Sequence, residues 1–178
     1  MLLLVLLACA PAASAASDPA AEAAARVFPA PAVLAREVLE LEQAEVDLVK
    51  KRAGTPPPSR QIVRFVARAA ADDRPPIGYA YLDRHLVRTL EETLLVAVDA
   101  AGRVVRVEVV TFAEPPEYKP SPRWYKQMEG RTLTRELELK RGIRTLAGAT
   151  LSSRAATDAV RRALAVHEVL AARESGRP

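Results

Sequence analysis

The chain has 178 residues, 49% hydrophobic and 27% charged, which suits one domain with its own core rather than two. Its formal charge is +4, but lysine and arginine are scattered, with no basic run interleaved with aromatics, and this argues against a nucleic-acid partner. Cys9 is the only cysteine, which excludes an internal disulfide, and cleavage near Ala15 would leave a mature domain with no thiolate for a metal site.

Residues 2–8 form an apolar run too short to span a bilayer, and Ala-Pro-Ala-Ala-Ser-Ala-Ala-Ser follows. Although no Lys or Arg precedes the run, the pattern reads as a secretory signal over residues 1–17, with cleavage near Ala13-Ser14-Ala15. The expectation is an exported protein, periplasmic or associated with the cell envelope. Leu6-Leu7-Ala8-Cys9 loosely resembles a bacterial lipobox, which would make Cys9 a lipid anchor; the other reading is a cysteine inside a cleaved signal.

Residues 18–30, rich in Ala and Pro, read as a linker to a domain over residues 31–174. Pro31 suits a first helical turn, and Leu34, Val38 and Leu41 recur at helical spacing through Ala44. Val46-Asp47-Leu48 alternates like a short strand, and the prolines up to Pro58 break the chain. Residues 61–67 and 77–82 predict strands. Leu94, Val96 and Val98, a turn at residues 99–102, then Val105, Val107 and Val109 predict a hairpin with one buried and one wet face. Residues 113–122 are a Pro-rich loop, residues 123–129 one or two helical turns carrying Trp124 and Met128, and residues 153–171 an amphipathic helix striped by Val160, Leu164, His167 and Leu170. The fold class that follows is α+β: an antiparallel sheet with an N-terminal helix and a C-terminal helix.

The segment that points to chemistry runs from Gly142 to Ser153 and ends where the last helix begins. Gly148 and its small neighbours Ala147 and Ala149 allow a ligand close to the backbone. Ser152 or Ser153 suits a helix cap, and a helix N-terminus favours an anionic group. Thr150 thus holds a hydroxyl beside a site suited to phosphate, although a glycine turn into a capped helix has the same pattern without any ligand.

Ala147-Gly148-Ala149-Thr150-Leu151-Ser152-Ser153, with Glu114 and Pro116 and with Trp124-Tyr125-Lys126-Gln127-Met128-Glu129-Gly130 upstream, resembles the FMN-binding domain family over residues 77–171. That family includes the flavin subunits of Rnf-type and sodium-pumping NADH:quinone oxidoreductase complexes and small exported proteins. The resemblance implies FMN as cofactor, phosphoester-linked to Thr150 by a separate flavin transferase. It implies Ala147, Gly148, Ala149, Leu151 and Ser152 around it, Glu114 and Trp124 as further contacts, and electron shuttling to a membrane or envelope redox partner. Two positions depart from the family's signature: Arg144 stands where it has Asp, and Ala147 where it has Ser or Thr. The alternative is therefore an exported interaction or structural protein of the same fold that has lost the flavin.

His85 beside Asp83 and Arg84, the pair Asp72-Asp73 and the pair Glu91-Glu92 read as exposed charge, and His167 as a packed core residue. Neither histidine has metal-ligand spacing.

Overall fold

The computed structural model describes residues 18–69 and 75–176. The expected signal sequence and cleavage site, Cys9 and Asp72-Asp73 lie outside the described residues.

Among the described residues five antiparallel strands form one meander in the order β1-β2-β3-β4-β5: β1 Val33–Glu40, β2 Gln61–Arg68, β3 Gly78–Leu86, β4 Glu91–Asp99 and β5 Val104–Phe112. The α-helices among the described residues are α1 Pro19–Val27, α2 Gln43–Ala53, α3 Pro122–Tyr125 and α4 Thr150–Glu174. This is the expected α+β class with a helix at each end. The N-terminal elements are not the expected ones, however.

The stretch read as a linker holds α1. Asp18 accepts a hydrogen bond from the Ala20 N–H at 3.0 Å, and Pro19 fills the first turn. Ala20, Ala23 and Ala24 recur at helical spacing and are buried with Phe28 against Phe65, Ala67, Ala80, Leu95 and Ala97. The sheet is therefore covered on both faces, and the expected wet face of β4 is instead buried from Glu92 to Val98. Gly78 is required under α1's exit, because a Cβ there would lie 2.7 Å from the Val98 carbonyl oxygen and 2.8 Å from the Phe28 ring.

The helix expected from Pro31 is β1. Its spacing of Leu34, Val38 and Leu41 fits a helix, but β1 pairs with β2 along its whole length, and Glu37, opposite Arg64, makes a 2.7 Å ion pair with it. Pairing with β2, a contact distant in sequence, overrides the local spacing. The expected strand at residues 46–48 lies inside α2, which a reciprocal capping box of Glu42 and Glu45 starts and Gly54, at φ +88°, ends.

The second face carries the main core. Tyr81, Leu94, Val96, Val98 and Val107 pack under Ala156, Val160, Leu164 and Leu170 of α4. Val49 and Ala53 of α2 join them beside α4. Among the described residues no helix is long and apolar enough to cross a membrane.

Candidate functional site

The chain enters α4 through a tight turn. Gly148 adopts φ +78°, a left-handed conformation that side chains disfavour, and Ala149 follows at the N-cap position. Alanine has no side-chain oxygen, so nothing caps the helix. The first backbone bond runs from the Ser153 N–H to the Ala149 carbonyl. The N–H groups of Thr150, Leu151 and Ser152 thus have no protein acceptor among the described residues.

Thr150, Ala147 and Gly148 are exposed, as is Leu151 at 49%, while Ala149 and Ser152 are buried. The expected serine caps are corrected by this geometry. The helix begins at Thr150, so Ser152 and Ser153 lie inside its first turn. Ser153 instead secures the turn from within: its Oγ accepts from the Leu146 N–H at 3.0 Å and donates to the Ala149 carbonyl at 2.9 Å.

Trp124 and Gln127, three residues apart, grip the backbone of one residue of the incoming loop, Arg144. The Trp124 indole N–H donates to the Arg144 carbonyl at 2.7 Å, and Gln127 Oε1 accepts from the Arg144 N–H at 2.8 Å. The Trp-x-x-Gln spacing therefore has a structural reason: a helical turn places both side chains on one side. Trp124 is an anchor of this loop. Arg131 anchors the same region, donating to the carbonyls of Gln127 and Gly142. The Arg144 side chain is exposed.

Glu114, implied by the resemblance as a flavin contact, has its carboxylate engaged elsewhere. It is buried, and its Oε1 accepts from the N–H groups of Arg88, Thr89 and Leu90 at 3.2, 2.9 and 3.0 Å. Those bonds, led by Thr89 and Leu90, hold its carboxyl below the ordinary range. Glu114 thus organises the turn between β3 and β4. Its hydrogen bonds do not bring it to Thr150.

Residues that look like solvated charge in the sequence form a buried network at this end of the sheet. Arg162 of α4 meets Asp83 with two bonds, 2.9 Å from Nε and 2.7 Å from Nη2. Asp83 Oδ1 lies 2.9 Å from His85 Nδ1, and His85 Nε2 lies 3.1 Å from Glu92 Oε2. The Tyr125 hydroxyl donates to Glu92 Oε1 at 3.1 Å. Glu92 is fully buried and the His85 side chain is 8% exposed, correcting the exposed reading of both. Burial alone would lower the His85 pKa; hydrogen bonds to Asp83 and Glu92 outweigh it and raise it to about 9. Burial likewise opposes ionisation of Asp83, but Arg162 and His85 more than offset it and lower its pKa. The signal for this cluster was strand parity. Tyr79, Tyr81, Asp83 and His85 alternate along β3, so all four point to the face that α4 covers.

His167 is buried, as expected, with its Nδ1 3.0 Å from the Tyr81 hydroxyl. Among the described residues no group of three or more His, Cys, Asp or Glu is arranged to hold a metal ion. A cavity of about 290 Å³ opens where β2 and β3 part beyond the Arg64↔Tyr81 pair, beside Asp83 and Arg162. It lies roughly 18 Å along α4 from Thr150, at 1.5 Å per residue.

Residues 91–165 match the family model of the FMN-binding domain. The match runs from β4 through the loop and into α4, within the span over which the sequence resembles that family. No curated protein and no solved structure matches the chain.

Proposed function

We propose, from the premise that residues 91–165 are an FMN-binding domain and the chain therefore an FMN-binding protein, that FMN is phosphoester-linked to Thr150 and that the protein shuttles electrons in the cell envelope. The observation that supports attachment there is an exposed threonine opening an uncapped helix of 25 residues. The unpaired N–H groups and the helix dipole both favour a phosphate at that point. The residues fit the group. Gly148 leaves open space where a Cβ would stand, and Thr150 is an exposed residue.

Attachment requires a separate flavin transferase that uses FAD and a divalent metal. Attachment would join the Thr150 oxygen to the flavin phosphate in place of the pyrophosphate P–O bond of FAD, with AMP as the leaving group and the hydroxyl proton released. FMN then supplies the electron chemistry, while this chain supplies position and electrostatics. Ser153 and the Trp124–Gln127 clamp hold the turn that presents Thr150. Export to the envelope is part of the proposal, motivated by the apolar N-terminal run, with a membrane or envelope redox partner.

A second reading rests on Arg144, a cation where the family's signature has Asp. If the transferase requires that acid, the domain serves as an exported interaction protein without flavin. Intact mass of protein co-expressed with a flavin transferase separates the two. An FMN-sized adduct that survives denaturation and is absent from Thr150→Ala is the expected result. Protein with neither adduct nor releasable flavin would overturn the covalent reading and leave the second.

A further inference from the structure

We propose that Glu92 is a positioning residue for the Thr150 site, acting through Tyr125 and Trp124 on the loop that leads to Gly148-Ala149-Thr150. The link to flavin rests on the function proposed above; the link from Glu92 to Trp124 does not.

Both oxygens of Glu92 are engaged, one by the Tyr125 hydroxyl and one by His85. Both ring nitrogens of His85 face a carboxylate, so the geometry calls for the doubly protonated ring, a donor at each nitrogen. Two cations, Arg162 and His85, thus balance two carboxylates, Asp83 and Glu92, and none of the four is replaceable by water in so buried a place.

The network ends on an element that cannot hold itself. α3 has four residues, too few for a self-supporting helix. Its Ser121 cap is long, at 3.3 Å, so side-chain anchors fix its orientation. Tyr125 ties it to Glu92, and Trp124, whose ring stands edge-on to Tyr125 at 5.2 Å, ties it to the Arg144 carbonyl. Arg144 leads into the turn before Thr150, and Thr150 opens the helix that carries Arg162. The circuit therefore closes: α4, β3, β4, α3, loop, α4. Loosening it at Glu92 frees the loop relative to the helix axis, and with it the angle at which the Thr150 hydroxyl is presented.

The groups facing His85 are Asp83 on β3, Glu92 on β4 with Tyr125 of α3 behind it, and Arg162 and Asp158 on α4. As His85 loses its proton, its bond to one carboxylate is lost and the strain passes to Tyr125 and Trp124. Trp124 is the chain's single tryptophan, so its fluorescence reports on the loop anchor without any flavin present.

The test uses flavin-free protein, wild type, Glu92→Gln and Tyr125→Phe, each shown to be folded by circular dichroism. Wild type is expected to show a Trp124 emission transition near pH 9. Glu92→Gln should move it down toward the ordinary imidazole range, and Tyr125→Phe should abolish it. With limiting transferase and FAD, both variants should acquire the Thr150 adduct about tenfold more slowly, as expected of a displaced reacting group. Folded variants whose emission titrates like wild type would overturn the link. So would variants modified at the wild-type rate. If wild type itself takes no flavin, the functional reading fails while the emission titrations still decide the role of Glu92.

Discussion

At Gly148 the backbone alone accounts for the glycine. A Cβ built there meets nothing within 4 Å, but φ is +78°. Gly148→Ala is therefore expected to lose about 1–2 kcal/mol through the left-handed conformation alone, read as a lowered denaturation midpoint with unchanged spectra. Gly142 differs, since a Cβ there would lie 2.1 Å from the Glu136 carbonyl oxygen, so Gly142→Ala should cost more than Gly148→Ala. The reverse order would mean that the turn relaxes freely. Glu114 poses another residue-level test. One oxygen satisfies three N–H groups of the turn between β3 and β4, so Glu114→Ala should expose the amides of Arg88, Thr89 and Leu90 to rapid hydrogen exchange. Protection of those amides like wild type would show that the turn holds without it.

Among the elements, β3, β4 and α4 are joined by the charged network, and its protonation sets a pH dependence of stability. His85 has its ordinary value of 6.5 when unfolded and about 9 in the fold. Below 6.5 both states hold the proton and the full contribution is present. Between 6.5 and 9 the unfolded chain releases its proton first, so stability falls as pH rises. The displacement corresponds to on the order of 3 kcal/mol. His167 works in the other direction and in another window. Burial lowers its pKa, so a cost develops as pH falls below 6.5, where the unfolded chain takes a proton that the fold resists. Urea unfolding across these windows should show a decline above 6.5 that is reduced in Glu92→Gln; a flat profile would contradict the doubly protonated His85. The sequence showed these elements unevenly. The hairpin of β4 and β5 was legible from its alternation around the turn at residues 99–102, although α1 buries the face of β4 read as wet, and α4 was legible from its apolar stripe. β1 was not, because Leu34, Val38 and Leu41 satisfy helical spacing and only pairing with β2 selects the strand. α1 was hidden by its alanines, which look like a linker until a sheet face is there to cover. In the site, the Gly148-Ala149-Thr150 turn was legible as local chemistry. The roles of His85 and Glu92 were not, since their partners are spread over β3, β4 and α3.

For the whole molecule, the segment that matches the family and the unit that must fold are different lengths of chain. The match spans residues 91–165. Within it β4 is buried on both faces, yet the partners that bury it lie largely outside. β3 pairs with β4 from Gly78↔Asp99 to Leu86↔Glu91, and α1 covers Leu95 and Ala97. Cutting at residue 165 also removes Val166, Val169 and Leu170, all core residues of α4. Glu92 would lose His85, leaving a buried carboxylate without its cation. A fragment of residues 91–165 should therefore be unfolded, with a collapsed amide spectrum and no cooperative thermal transition, whereas residues 18–176 should give a dispersed spectrum and one transition. A dispersed spectrum from the short fragment would show that β4, β5 and the first part of α4 form a core by themselves, and would remove α1 and β3 from the account of what holds Thr150 in place.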